Sequence, residues 1–125
     1  MIAAALLFAT SATAAENGRD LSGQQLRTAL SGKTLYIQTP IGAEVPVKYR
    51  HNGTMQGRSS TQLAMLAGED VNADKGRWWI KSTQLCQKWN NWADGRAYCY
   101  RFRIKGDSVY WTRNDGKSGS ARLGN

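Results

Sequence analysis

Apolar and polar positions alternate along most of this chain, and the period of that alternation changes once. From Leu21 the sequence reads LSGQQLRTALSG, in which Leu21, Leu26, Ala29 and Leu30 share one helical face. Ser22 stands where it can cap the start, and Gly32 where it can end the helix in a left-handed conformation. The spacing predicts one short helix of about two to three turns.

Downstream the pattern becomes that of strands. Lys33–Ile37 is β-branched and aromatic and stops before Pro40, and Val45–Tyr49 follows. The hairpin signal His51-Asn52-Gly53-Thr54 then leads into a return strand over Thr54–Gly57. Ser59–Met65 reads either as more of that strand or as a loop, and Gly68–Lys75 as a polar loop. Further strands are predicted over Arg77–Lys81, Leu85–Trp89, Tyr98–Ile104, Val109–Thr112 and Ala121–Leu123. Turns at Asn90–Gly95, Lys105–Asp107 and Asn114–Gly116 separate them, and Asp94, Asp107 and Asp115 each sit beside a glycine as turn residues. Short strands at such spacing predict a mainly β fold. It is an antiparallel meander, closed into a small β-barrel or folded as a sandwich, with one short N-terminal helix.

Strand parity separates the two faces of that sheet. Trp78 and Ile80 oppose Arg77, Trp79 and Lys81; Tyr98, Tyr100, Phe102 and Ile104 oppose Cys99, Arg101 and Arg103; Leu85, Gln87 and Trp89 oppose Cys86 and Lys88. With the apolar sets turned inward, the outer face carries Arg77, Trp79, Lys81, Lys88, Arg101 and Arg103 around the two cysteines. Cations interleaved with an exposed aromatic suit an anionic polymer, since charge meets charge while the ring stacks. The same pattern also serves a solvated strand face that discourages edge pairing. Trp89 and Trp92 in KWNNWADG form a second candidate, either as loop contacts or as a cap on one barrel end. The inward bulk of Trp78, Tyr98, Tyr100, Phe102 and Trp111 predicts a filled interior.

Composition adds a compartment. The first fifteen residues, MIAAALLFATSATAA, carry no charge, and an apolar run to Ala9 precedes Ala12-Thr13-Ala14. This order predicts a cleaved secretory signal over 1–15, a flexible lead over 16–20 and a single domain over 21–125. The apolar run is short for a bilayer, so no transmembrane span is expected. A periplasmic or secreted location is oxidising, and there two cysteines predict a Cys86–Cys99 disulfide. Every charged residue lies after Ala15, so the domain keeps the full net charge of +8. That balance favours an anionic envelope polymer, an acidic glycan or an acidic exported protein, with nucleic acid disfavoured by export.

Catalytic patterns are not found. The single histidine, His51, abuts a turn; no Gly-x-Ser-x-Gly elbow is present. Two thiols and one histidine do not complete a zinc site, and Glu69, Asp70 and Asp74 lack the ligand spacing of a calcium loop. No metal and no cofactor is expected. The reading is a non-enzymatic binding module. Its alternatives are an inhibitor or partner of an exported lysozyme or protease, and a carrier of a small hydrophobic ligand of lipocalin type.

The segments LSGQQLRTALSGKTL, HNGTMQG, GRWWI, LCQKW, YCYRF and the closing LGN carry a resemblance. The chain resembles a family of small exported alphaproteobacterial proteins, mostly of unknown function. These share a short helix running into SGKT, a Gly-Thr turn, a Gly-x-Trp strand and a Cys-x-x-Trp strand answered by Cys-Tyr. Gly76-Arg77-Trp78, Cys86 with Trp89, and Cys99-Tyr100 match position by position, and the likeness spans most of Leu21–Asn125. It implies a calycin-like β-barrel in the periplasm and names no ligand.

Overall fold

Ser22 starts an α-helix through a reciprocal cap. The Gln25 backbone N–H donates to Ser22 Oγ at 3.4 Å, and the Ser22 N–H donates to Gln25 Oε1 at 2.9 Å. Helix α1 (Gly23–Leu30) leaves through Ser31 and Gly32, whose φ of 78° is easy for glycine alone. Leu26 and Leu30 are fully buried on its inner face. The computed structural model describes residues 19–60, 68 and 72–124. The predicted signal, positions 61–65 of the undecided stretch, and Glu69 and Asp70 lie outside the described residues.

The described residues form nine strands along the chain: β1 (Arg19–Asp20), β2 (Lys33–Gln38), β3 (Glu44–Tyr49), β4 (Thr54–Arg58), β5 (Ala73–Lys81), β6 (Gln84–Trp89), β7 (Ala97–Lys105), β8 (Ser108–Arg113) and β9 (Ser118–Gly124). Each of β2 to β9 pairs antiparallel with the next, and β9 returns to β2 from Ile37↔Ala121 to Thr34↔Gly124. The meander is therefore an eight-stranded closed barrel rather than a sandwich. On the outside of the closing seam, the Arg122 guanidinium lies 4.1 Å from the Tyr36 ring centroid on β2 and 3.1 Å from Glu44 on β3.

Two segments differ from the sequence reading. Residues 19–20 were expected to be flexible, yet they pair with β7 as Arg19↔Ile104 and Asp20↔Arg103. The β6–β7 ladder ends at Leu85↔Tyr100, which leaves backbone groups of β7 without a neighbour. β1 supplies one, and Leu21 continues it by donating to the Phe102 carbonyl at 3.2 Å. The second difference is β5, which begins at Ala73 inside the predicted loop. Its inward positions there are Asp74 and Gly76, so the apolar half of the alternation is missing from the sequence.

Helix α1 packs on β2, β5 and β6 and covers one end of the barrel. Beneath it Trp78 donates Nε1–H to the Arg50 carbonyl at 2.9 Å and meets the Tyr49 ring edge-on at 5.5 Å. This end is filled. Leu26→Ala is expected to lower unfolding free energy by about 2–5 kcal/mol in chemical denaturation. Gln24→Ala, on the exposed helix face, is expected to stay within about 0.5 kcal/mol of the parent.

Candidate binding surfaces on and in the barrel

The outer face of β5 to β8 gathers the six residues that parity assigned to it. Arg77, Trp79, Lys81, Lys88, Arg101 and Arg103 are all exposed. Register places Arg77 opposite Lys88, Trp79 opposite Cys86, Arg101 opposite Thr112 and Arg103 opposite Tyr110. Like charges directly opposite one another are destabilising. No Asp or Glu occupies an outward position of β4 to β8 to relieve them. Asp20, brought in by β1, reaches Arg103 at 3.6 Å, and both side chains stay more than half exposed. The sequence reading missed three further cations on this side, Arg58, Lys75 and Lys105, and an exposed aromatic, Tyr110. Lys75 was hidden with the start of β5; its parity with Arg77 and Trp79 was the available signal.

The Cys86–Cys99 disulfide joins directly opposed residues of β6 and β7. Both cysteines point outward, but Cys86 is completely buried. Its cross-strand neighbours are Cys99 on one side and Trp79 on the other. Trp79, 39% exposed, thus stands beside the cross-link at the centre of the basic face.

Trp89 and Trp92 sit at the barrel end away from α1. Trp89 is buried and Trp92 half-buried, with ring centroids 4.7 Å apart. Both press on Gly57, where a Cβ would lie 2.6 Å from Trp92 and 2.8 Å from Trp89. The loop carrying Trp92 is held by the buried Asp74, which accepts from the backbone N–H groups of Asn91 and Trp92, each at 2.8 Å. Asp74 is therefore a loop anchor, not an outward residue of an acidic loop. Burial pushes its carboxyl up, but the N–H donors of Trp92, Asn91 and Lys75 outweigh that and leave it below the ordinary aspartate range.

Between these two ends the barrel holds a cavity of about 210 Å³. Leu35, Ile37, Val45 and Val47 form one wall, and Tyr100, Phe102 and Trp111 the other. Tyr49, Gln87, Trp89 and Trp92 complete it. The expected filled interior is corrected here, and the reason is where the rings lie. Tyr100 meets Trp111 edge-on at 5.6 Å, and Trp111 lies against Gly119 of β9, where a Cβ would come within 2.5 Å. Glycine at 119 lets the indole flatten onto the barrel wall instead of crossing the interior. The Tyr49 hydroxyl donates to Gln87 Oε1 at 2.8 Å, and burial raises the phenol pKa of Tyr49 and of Tyr100 above the ordinary value. Nearby Arg113, inward on β8, lies 4.0 Å from the Tyr98 ring centroid and is tied to Asp115, whose carboxyl it holds down to about 2.

His51 is exposed in the 50–53 turn. Among the described residues no group of three or more His, Cys, Asp or Glu is placed to hold a metal ion. No helix among them is long and apolar enough to cross a membrane. No protein-family profile, curated protein or solved structure matches the chain. What stands is a small eight-stranded antiparallel β-barrel.

Asp74→Ala leaves buried N–H donors without an acceptor and is expected to cost about 1–3 kcal/mol in denaturant unfolding. Because the folded carboxyl ionises more readily than the unfolded one, its contribution is present above about pH 3.9 and is lost as pH falls through the lower folded value. The parent is expected to lose stability across that acidic window, and Asp74→Ala to lose less.

Proposed function

We propose that this protein is an exported, non-enzymatic binding module that recognises an anionic polymer, an envelope polysaccharide or other acidic glycan, through the outward face of β5 to β8. One observation carries the reading: the face bears cations, an exposed tryptophan and an exposed tyrosine, and no outward acid of its own strands. Arg77 and Lys88 repel across the ladder, and among the described residues neither has an ion partner. A polyanion removes that repulsion, and the ring of Trp79 offers a flat surface on which a sugar stacks. The ladder and the disulfide hold these groups on a rigid sheet, so little ordering entropy opposes binding. Export to the periplasm or beyond is supported by the uncharged apolar residues 1–15, and by the resemblance of the SGKT, Gly-x-Trp and Cys-x-x-Trp motifs to those of small exported alphaproteobacterial proteins. Inhibition of an exported enzyme through the Trp89–Trp92 loop is the weaker reading, since Trp89 is buried and Trp92 half-buried.

Binding of the oxidised protein to envelope fractions and to alginate, a polyuronate, measured across a salt series, tests the proposal. Affinity is expected to fall steeply as salt screens the face. The combined variant Trp79→Ser, Arg101→Ser, Arg103→Ser is expected to bind at least about tenfold more weakly, equivalent to 1.4 kcal/mol. Binding that ignores salt, or equal binding by the variant, would contradict it.

A further inference from the structure

We infer that the barrel interior is a second binding site, for a compact, uncharged, mostly apolar molecule of about ten non-hydrogen atoms carrying one hydrogen-bonding oxygen. The inference does not depend on the outer face, and the two sites call for opposite chemistry.

Size comes first. The cavity measures about 210 Å³. A dry apolar cavity of about 150 Å³ accepts benzene, whereas drug-sized ligands occupy about 300 Å³ or more. The occupant is thus larger than benzene and smaller than a drug. Charge comes next. The lining contains no Lys, Arg, His, Asp or Glu, and burial keeps the phenols of Tyr49 and Tyr100 neutral. An ionised group placed there loses its hydration with no countercharge to meet it. The nearest inward cation, Arg113, is already engaged by Asp115. Uronates and phosphates are excluded from the interior by the same reasoning that draws them to the outer face.

Gln87 supplies the polar handle. It stands on β6 between Leu85 and Trp89, facing inward where an apolar side chain packs better. Its Oε1 accepts from Tyr49, while its amide nitrogen has no partner among the described residues. A carbonyl or hydroxyl oxygen on the ligand completes that amide, and rings from Trp89, Tyr100 and Phe102 receive the apolar remainder. With α1 over the opposite end, entry runs past the half-buried Trp92.

The test is a ¹H–¹⁵N NMR titration of the oxidised protein with acetophenone, ethylbenzene and benzoate. Acetophenone is expected to shift the Gln87 side-chain amide and the Trp89 and Trp111 indole signals saturably. Ethylbenzene, nearly the same size but without oxygen, is expected to bind about tenfold more weakly. Benzoate is expected to leave the interior signals unmoved. Val47→Phe fills the cavity and is expected to abolish binding while the remaining amide signals stay dispersed. Val45→Phe, also on the cavity wall, serves if Val47→Phe does not fold. Acetophenone shifts that are missing, confined to outward residues or retained in a folded filling variant would overturn the site. Equal affinity for ethylbenzene would overturn the role of Gln87, and interior binding of benzoate would overturn the uncharged class.

Discussion

The pairing of β9 with β2, from Ile37↔Ala121 to Thr34↔Gly124, removes the last free edge of the eight-stranded sheet. It also removes any choice about which face of each strand meets water. A slip of one residue anywhere in the ring would turn every following side chain over, exchanging Leu35, Val47 and Phe102 for Thr34, Lys48 and Arg101. Burial of the apolar set therefore specifies the register, and the register places the cations. Arg122 reinforces the seam from outside by bridging Tyr36 and Glu44, although so exposed a pair contributes little energy of its own.

From that constraint follows a sharp division of chemistry across a wall one strand thick. Outside β5 to β8 lie cations that lack outward acids on their own strands; inside lies a cavity lined without a charge. The buried carboxylate of Asp74 is consistent with this division, because backbone N–H groups of the Trp92 loop satisfy it. It trades a place in the apolar alternation of β5 for control of the loop beside the cavity. Tyr49 and Gln87 satisfy each other in part and leave one amide group over, and the buried indole N–H of Trp111 on the cavity wall also has no hydrogen-bond partner among the described residues.

Much of the barrel was legible because its faces alternate cleanly where it matters. Trp78 and Ile80 against Arg77, Trp79 and Lys81, and Tyr100 and Phe102 against Arg101 and Arg103, assign the basic face by parity alone. The helix was legible from Ser22 and the spacing of its leucines. Strand β1 was not, because two polar residues carry no alternation and their pairing depends on where the β6–β7 ladder stops. The start of β5 was lost because Asp74 and Gly76 stand at inward positions. The cavity was missed for a different reason. Side-chain volumes suggested a full interior, but glycines at 57 and 119 let tryptophan rings lie against the wall. Where a ring leans is set by neighbours distant in sequence, and no local pattern records it.

The central claim is that the two faces of one wall recognise different things, and amide-resolved mapping with a polyanion tests it most directly. With alginate added to the oxidised protein, backbone shifts are expected at Arg77, Trp79, Lys88 and Arg101. Val47, Tyr49 and Gln87, which line the cavity inside the barrel, are expected to stay unmoved. Shifts concentrated at the interior positions or at the Trp92 loop, with the outward positions of β5 to β8 silent, would contradict the account.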